Sequence, residues 1–325
     1  MKRHNNLFEQ IVDMDNLRLA YQKAKKGKSK KISVIKFSQN IEERLLKIQE
    51  SLVNKTFTTS PYTTKKVYEP KERLIHVLPF APDRIVQHAI MNFLEPIWDK
   101  LFIFDSYACR IGKGIHKGSR RTMEFVRKYK YCLKCDVSKF YPSINHDILY
   151  KIICKKMRCK DTLELLKDIV YSTNGVPIGN YTSQWFGNLY LNELDFFVKQ
   201  THNIKAYIRY CDDFLLFHDD KSYLRELSIK IQDFVWANLR LILSKCDLFP
   251  VSRGVDFLGY RHFKNYILLR KSTVKRVKLR LSKLPDQLHE GKRLFDSCVS
   301  SIASTLGWMQ HGNCFNLQQR IGVMS

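Results

Sequence analysis

No apolar run in the 325-residue sequence approaches the ~20 residues that a membrane-spanning helix requires. The opening residues, MKRHNNLFEQ, also lack the apolar stretch of a signal peptide. A soluble, cytoplasmic protein is the expectation. Glycine and proline are sparse, at 13 and 9 residues, which argues against a low-complexity or disordered chain. Acidic residues are scarce too: 31 Asp and Glu face 56 Lys and Arg, leaving a formal net charge of +25. Such an excess selects a polyanionic partner, nucleic acid ahead of an anionic membrane surface. Nine scattered cysteines, an odd number, do not form a secreted disulfide framework, so reduced thiols are the default.

What is present is a globular composition, 44% hydrophobic and 12% aromatic, enough for a sizeable core in about two domains or one elaborated domain. One cysteine pair needs weighing. Cys132 and Cys135 form a C-x-x-C, and Cys154 and Cys159 follow at a spacing loosely like that of a zinc site. Yet the segment from Tyr131 to Val137 reads as a buried strand, on which residues three apart point to opposite faces. Zinc is the lesser reading.

The first ~60 residues are expected to be a mostly helical periphery. Six lysines between Lys23 and Lys31 show no apolar periodicity and read as a mobile basic loop. Ile41, Leu45, Ile48 and Leu52 make the apolar stripe of a helix. Residues 61 to 83 alternate like a pair of strands, and a helix follows with Asp83 as its first-turn cap and Ile85, Ala89, Phe93, Leu94 and Ile97 inward. DSYACRIGKGIHKGSRR reads as a basic loop suited to a phosphate backbone or to plain solvation.

The middle third alternates strands (131–137, a strand–turn–strand over 206–218, Leu241–Phe249, Val255–Phe263) with helices (145–158, 162–172, 182–200, 222–238), an α+β pattern. Between Arg270 and Lys283 seven of fourteen residues are basic, with Val274, Val277 and Leu281 at helical spacing. That describes a helix with one apolar and one basic face.

The chemistry concentrates in Ile208–Phe217, where Asp212 and Asp213 sit between apolar strand-like residues. Adjacent carboxylates repel, and desolvation raises the cost unless a cation neutralises them; a solvated hairpin turn is the bland alternative. A second acid, Asp136, ends the strand KYCLKCDV 76 positions earlier and would meet the pair if the strands are neighbours. Such hard oxygen ligands suit Mg²⁺ or Mn²⁺. Two ions ~3.5–4 Å apart would activate a 3′-hydroxyl and stabilise a pyrophosphate leaving group.

These segments, DVSKFYPSI with YCDD, resemble the palm of a reverse transcriptase. LIHVLPFAPDRIVQHAI and SYACRIGKGIHKG resemble its fingers, GVPIGNYTSQWFGNLYLNELD its nucleotide-facing helix, and LILSKCDLF with VDFLGYRHF its last palm strands and primer grip (Phe257, Leu258, Gly259, Tyr260). The resemblance implies a right-hand polymerase fold: an N-terminal extension and fingers over 1–125, a palm with an antiparallel sheet packed on helices over 126–265, and a short helical thumb over 266–325.

It also implies roles. Asp136 and Asp212 match the acids that hold two Mg²⁺ ions, and Asp213 matches the second, less direct acid of the pair. Tyr141 falls where the family keeps an aromatic gate against the ribose 2′-hydroxyl; a core tyrosine is the bland reading. Arg73, and more weakly Arg84, match a cation on the triphosphate, though either could be a surface cation. Lys245 resembles a lysine assigned as general acid towards pyrophosphate, and a solvated lysine reads equally well.

At the start of the nucleotide-facing helix many relatives carry Gln-Gly, and here Ile178-Gly179 stands instead, so an amide near the nascent base pair is lost. The pattern IGN-x-TSQ-x-F-x-N resembles the reverse transcriptases of diversity-generating retroelements. That resemblance implies error-prone copying of a template-repeat RNA, with errors opposite adenines, in a bacterial or phage-encoded system. It implies as partners template RNA and an RNA–DNA heteroduplex held by its A-form shape, dNTPs, and a small basic accessory variability protein that forms a ring.

Three alternatives remain at this point: a retron or group II intron enzyme, a catalytically inactive palm that only binds RNA, and a basic membrane-surface protein. The intron type carries a splicing domain after the thumb, for which this chain ends too soon. Asp136, Asp212 and Asp213 together speak against an inactive palm, and the membrane reading leaves them without a role.

Overall fold

Alternating apolar residues make Tyr131–Val137 a strand that buries both faces, and its neighbours are assembled around it. In the computed structural model, which describes residues 6–68 and 72–320, four helices come first: α1 (Phe8–Val12), α2 (Met14–Lys25), α3 (Ile32–Ser38) and α4 (Ile41–Val53). A hairpin of β1 (Thr63–Val67) and β2 (Arg73–Val77) leads to α5 (Ile85–Asp99) and α6 (Ile115–Lys128). Then come β3 (Tyr131–Val137), α7 (Phe140–Ser143), α8 (His146–Lys156), α9 (Lys160–Tyr171), α10 (Tyr181–Phe196), β4 (Tyr207–Tyr210), β5 (Asp213–His218), α11 (Lys221–Leu239) and β6 (Leu243–Pro250). The chain continues through β7 (Val255–Phe257), β8 (Tyr260–His262) and β9 (Ile267–Leu269) to α12 (Lys271–Ser282), α13 (Leu284–His289), α14 (Phe295–Met309) and α15 (Phe315–Arg320).

The central sheet has the order β4-β5-β3-β6, every pair antiparallel. Its period-2 alternation sorts residues between two cores. Leu133, Cys135, Phe214 and Leu216 face a large core shared with α5, α8, α10, α11 and the N-terminal helices. Cys132, Leu215, Phe217 and Ile208 face a smaller one closed by Phe125 and Val126 of α6 and by Val255 and Phe257. The C-x-x-C is thus split across the sheet, with Cys135 Sγ 3.5 Å from Cys246 Sγ on β6. A third core joins Tyr260 and Leu269 to Val277, Met309 and Cys314. Mixed helix and sheet with an antiparallel centre is the α+β polymerase arrangement expected. No helix among the described residues is long and apolar enough to cross a membrane.

Several local expectations need correction. Lys23 and Lys25 belong to α2, and Lys26–Lys31 form turns that close onto α3, so the lysine run is not one loop. Asp83 does not cap α5. It is buried one residue ahead of Arg84 and accepts from the Ser60 N–H at 2.9 Å. The segment from Ile115 onward is helix, not loop: α6 buries the small residues Gly118, Ser119 and Thr122 in its first half, and its large buried apolar residues Met123, Phe125 and Val126 come only afterwards. Val255–Phe263 is a hairpin, because Leu258 and Gly259 both adopt positive φ, 55° and 84°. The hairpin of β8 and β9 straddles residue 265, where palm and thumb were expected to part.

Candidate active site

Strand register brings the site together. Asp136 on β3 stands directly opposite Asp213 on β5 and Lys245 on β6, so all three occupy one row on one face of the sheet. The ladder shifts register between Asp136 and Val137, an irregularity of the kind that re-aims a side chain. Ser244 Oγ donates to Asp136 Oδ2 at 3.0 Å and to its backbone carbonyl at 3.1 Å. Two residues earlier on the same face, Lys134 Nζ lies 3.5 Å from Asp213 Oδ2 and donates to the Asp256 carbonyl at 2.5 Å.

Asp212 sits in the turn between β4 and β5, and its carbonyl accepts from the Val137 N–H at 3.3 Å. Burial raises its carboxyl above the usual range, Asp136 adds to the rise, and Arg73 opposes it. Asp213 is pushed up to about 7, chiefly by burial; Lys134 opposes the shift, while Asp136 and Asp212 add to it. Its Oδ1 is buried without a hydrogen-bond partner. The three carboxylates therefore share one electrostatic neighbourhood, and Arg73, exposed at the start of β2, is near enough to enter it.

The turn is held from behind. Arg209 on β4 is 0% exposed and makes a two-pronged ion pair with Asp195 of α10, at 2.7 and 2.6 Å. Its other nitrogen, Nη1, donates to Asn188 Oδ1 at 3.1 Å and to the Cys211 carbonyl at 3.0 Å. Cys211 has a positive φ of 56°, a conformation costly for any residue but glycine, and it immediately precedes Asp212. Tyr207 OH also donates to Asp195, at 2.7 Å. Sequence reasoning missed this cluster, although an arginine inside the apolar strand YIRY was a sign that a buried carboxylate must face it.

Tyr141, on α7, places its hydroxyl 3.2 Å from Cys211 Sγ, beside the same turn. Its ring packs on Phe140 and against Gly187 of α10, where a Cβ would come within 3.2 Å of Tyr141 Cε1. Burial is the main cause of its raised hydroxyl pKa. Ile178 and Gly179 lie in the turn before α10, where the Ile178 carbonyl accepts from His76 N–H of β2 at 2.8 Å. Gly179 has φ +131° and a Cβ there would meet the His76 carbonyl at 2.2 Å, so only glycine permits this approach. The contact ties the strand that carries Arg73 to the start of α10.

Other expected site residues fall elsewhere. Arg84 lies in the π turn before α5 and points into a separate cleft with Lys28, Lys31 and Arg44. Phe257 and Tyr260 are 0% exposed, in the second and third cores respectively, and only the turn residues Leu258 and Gly259 between them reach the surface. Tyr260 OH donates to the Trp308 carbonyl at 2.8 Å. Lys245 is exposed beside Asp136.

The profile of the family described as "Reverse transcriptase (RNA-dependent DNA polymerase)" matches residues 64–262, more than half of the chain. The chain belongs to the reverse transcriptase family. The matched domain is the one this family describes as an RNA-dependent DNA polymerase, and the chain spans less than a third of the length of the intron-encoded relative LtrA. Protein YkfC of Escherichia coli is 24% identical over 254 residues, covering 62% of this chain and 67% of that protein. The group II intron-encoded protein LtrA of Lactococcus lactis is 24% identical over 172 residues, covering 49% of this chain and 29% of LtrA. A telomerase from Candida albicans, solved with a fragment of telomeric RNA, superposes on 74% of this chain and 55% of its own, with a TM-score of 0.47 and 13% identity.

Reverse transcriptase domains use divalent metal ions. Among the described residues, no three His, Cys, Asp or Glu side chains converge tightly enough to enclose an ion. The donor set nevertheless fits a divalent cation, since it offers hard carboxylate oxygens, burial and then mutual repulsion that raise Asp212 and Asp213, and the orphaned Asp213 Oδ1.

Proposed function

We propose that this reverse transcriptase extends a DNA primer on an RNA template at the Asp136–Asp212 pair, with Asp213 and Lys134 in support. The observation that carries the proposal is the row Asp213–Asp136–Lys245, with Asp212 on the adjoining turn. Mg²⁺ ions held by Asp136 and Asp212 would supply a polarised primer 3′-hydroxyl and neutralise the pyrophosphate leaving group. The chain's own residues supply the rest. Arg73 faces the acids with a positive charge suited to a triphosphate. Tyr141 fills the space beside Cys211, where a ribose 2′-hydroxyl would collide with its ring. Lys245 is positioned to donate a proton to the departing pyrophosphate. The division into fingers (1–125), palm (126–265) and thumb (266–325) belongs to this proposal, with Leu258 and Gly259 as the part of the primer grip that reaches nucleic acid.

The Asp212→Asn variant tests the core claim. Primer extension on an RNA template is expected to disappear while the urea midpoint of unfolding does not fall, since the replaced carboxylate is one that burial and Asp136 disfavour, and retained extension overturns the assignment.

Within the family, the proposal is the diversity-generating type: adenine-directed, error-prone copying of a template-repeat RNA alongside a basic accessory ring protein. Ile178 supports it, because an aliphatic side chain there offers no amide to the nascent base pair. The likeness to LtrA favours a second reading, an intron-type enzyme. Sequencing cDNA made on a defined RNA separates them: errors concentrated opposite template adenines support the first, and sparse, evenly spread errors the second.

A further inference from the structure

The family resemblance offers Arg84, behind Arg73, as a cation for the triphosphate, but the fold turns it the other way. Its guanidinium lies in a cleft of about 350 Å³ between the N-terminal helices and the corner from β2 to α5. Lys28, Lys31 and Arg44 line the same cleft, and no carboxylate does. The side chains of Lys28, Lys31 and Arg84 form no hydrogen bond or ion pair with another described residue, and Arg44 rests on the Phe37 ring at 5.7 Å. Asp83, the adjacent acid in sequence, is turned towards Ser60. Phe37 and Phe80 pack edge to face, 5.7 Å apart, and Val34 adds to this apolar floor.

Four cations gathered over an apolar floor without an anion repel one another, and partial burial enlarges the cost. Burial lowers Lys28, and Arg84 and Lys31 lower it further. His88, one helical turn after Arg84, is held down to about 4 by burial and by Lys28, Arg84 and Lys23. A bound anion would relieve that repulsion. The cleft is also distinct from the acidic site: β2 runs from Arg73, whose charge reaches Asp212, to Val77 on the cleft wall, about 13 Å along an extended strand.

We infer that this cleft is a phosphate-binding site, separate from the polymerase centre, which takes a backbone phosphate of single-stranded RNA. The cleft, at about 350 Å³, is larger than one phosphate group and leaves room for the attached sugar above its buried apolar floor, while its cations track the backbone as they do in the charged grooves of single-strand binders. The identity of the strand rests on the polymerase proposal; the phosphate chemistry does not.

The test uses the full chain, a fluorescently labelled single-stranded RNA and a salt series. The Lys28→Gln/Arg44→Gln variant is expected to bind roughly tenfold more weakly at low salt. The slope of log affinity against log salt should fall by about 0.7 for each phosphate that the variant no longer neutralises. The KM for dNTP on a saturating primer–template should not change, and Lys28→Arg should bind RNA as wild type does, which separates charge from fold. Arg84→Gln should behave like the double variant. Wild-type affinity and slope in the variants would overturn the inference. So would an Arg84→Gln effect confined to the dNTP KM, which would assign the cleft to free triphosphate. Binding measured in an Asp212→Asn background keeps the two proposals apart: a slope that still depends on the cleft, in a chain whose Asp212 proves dispensable for extension, would refute the polymerase assignment alone.

Discussion

Replacing Arg209 by methionine should damage both the fold and the reaction, and the two effects can be separated. Arg209 and Asp195 are each 0% exposed, and Arg209 also supports Asn188, the Cys211 carbonyl and, through Asp195, Tyr207. Removing one member of a buried ion pair strands the other, at about 3–5 kcal/mol. Arg209→Met is therefore expected to lower the unfolding free energy by about 4 kcal/mol in urea denaturation. The double variant Arg209→Met/Asp195→Leu removes the stranded charge and should regain part of that loss. It cannot regain all of it, because Tyr207 OH and Asn188 lose a partner at about 1 kcal/mol each.

Activity should not follow stability. In both variants the Cys211 carbonyl loses its donor, and a residue held at φ 56° is left free to relax and carry Asp212 with it. Misplacing a reacting group by about 1 Å costs roughly 10²-fold in rate. Single-turnover primer extension should thus fall by about that factor in the single variant and stay low in the double. Recovery of the wild-type rate together with stability would refute the anchoring argument. A single-variant loss under about 1 kcal/mol would refute the buried-pair argument instead.

The parts of the molecule that were legible in the sequence are those whose pattern is local. β3 and β5 announce themselves by apolar runs ending in acids, and antiparallel pairing of such strands brings their ends together. That is why Asp136 could be matched with Asp212 and Asp213 before their register was known. α4 was equally plain, since its stripe of Leu45, Ile48 and Leu52 is the buried face observed.

What was not legible depends on partners distant in sequence or on packing through small residues. The first half of α6 is packed through Gly118, where a Cβ would lie 2.7 Å from Leu258 Cδ1, so close approach stands there in place of a large apolar side chain. Leu258 at φ 55° is no turn signal, and a continuous strand was the natural reading of Val255–Phe263. Arg84 was misdirected for the same reason. Its neighbours Lys28 and Lys31 come from the turns between α2 and α3 and Arg44 from α4, and only the packing of that N-terminal region against the β2–α5 corner assembles the cleft.

Two further predictions probe the nucleotide side and the pH response. Ile178→Gln should reduce misincorporation opposite template adenine in sequenced cDNA, because the backbone at Ile178 is already fixed by His76 and only the side chain changes; unchanged fidelity would remove Ile178 from the account. His262 is 0% exposed between Ser119 Oγ at 2.7 Å and the Val255 carbonyl at 3.0 Å, and burial holds it down to about 4. An unfolded histidine takes up its proton near pH ~6.5. Between those two values the unfolded chain binds more protons, so stability contributed by neutral His262 is present above pH ~6.5 and lost as pH falls towards 4, by up to about 3 kcal/mol. His262→Gln keeps a donor and an acceptor but does not titrate. Its urea midpoint should therefore decline less steeply than that of wild type from pH 6.5 to 4.5, and parallel profiles would show that the His262 proton plays no part in the acid sensitivity.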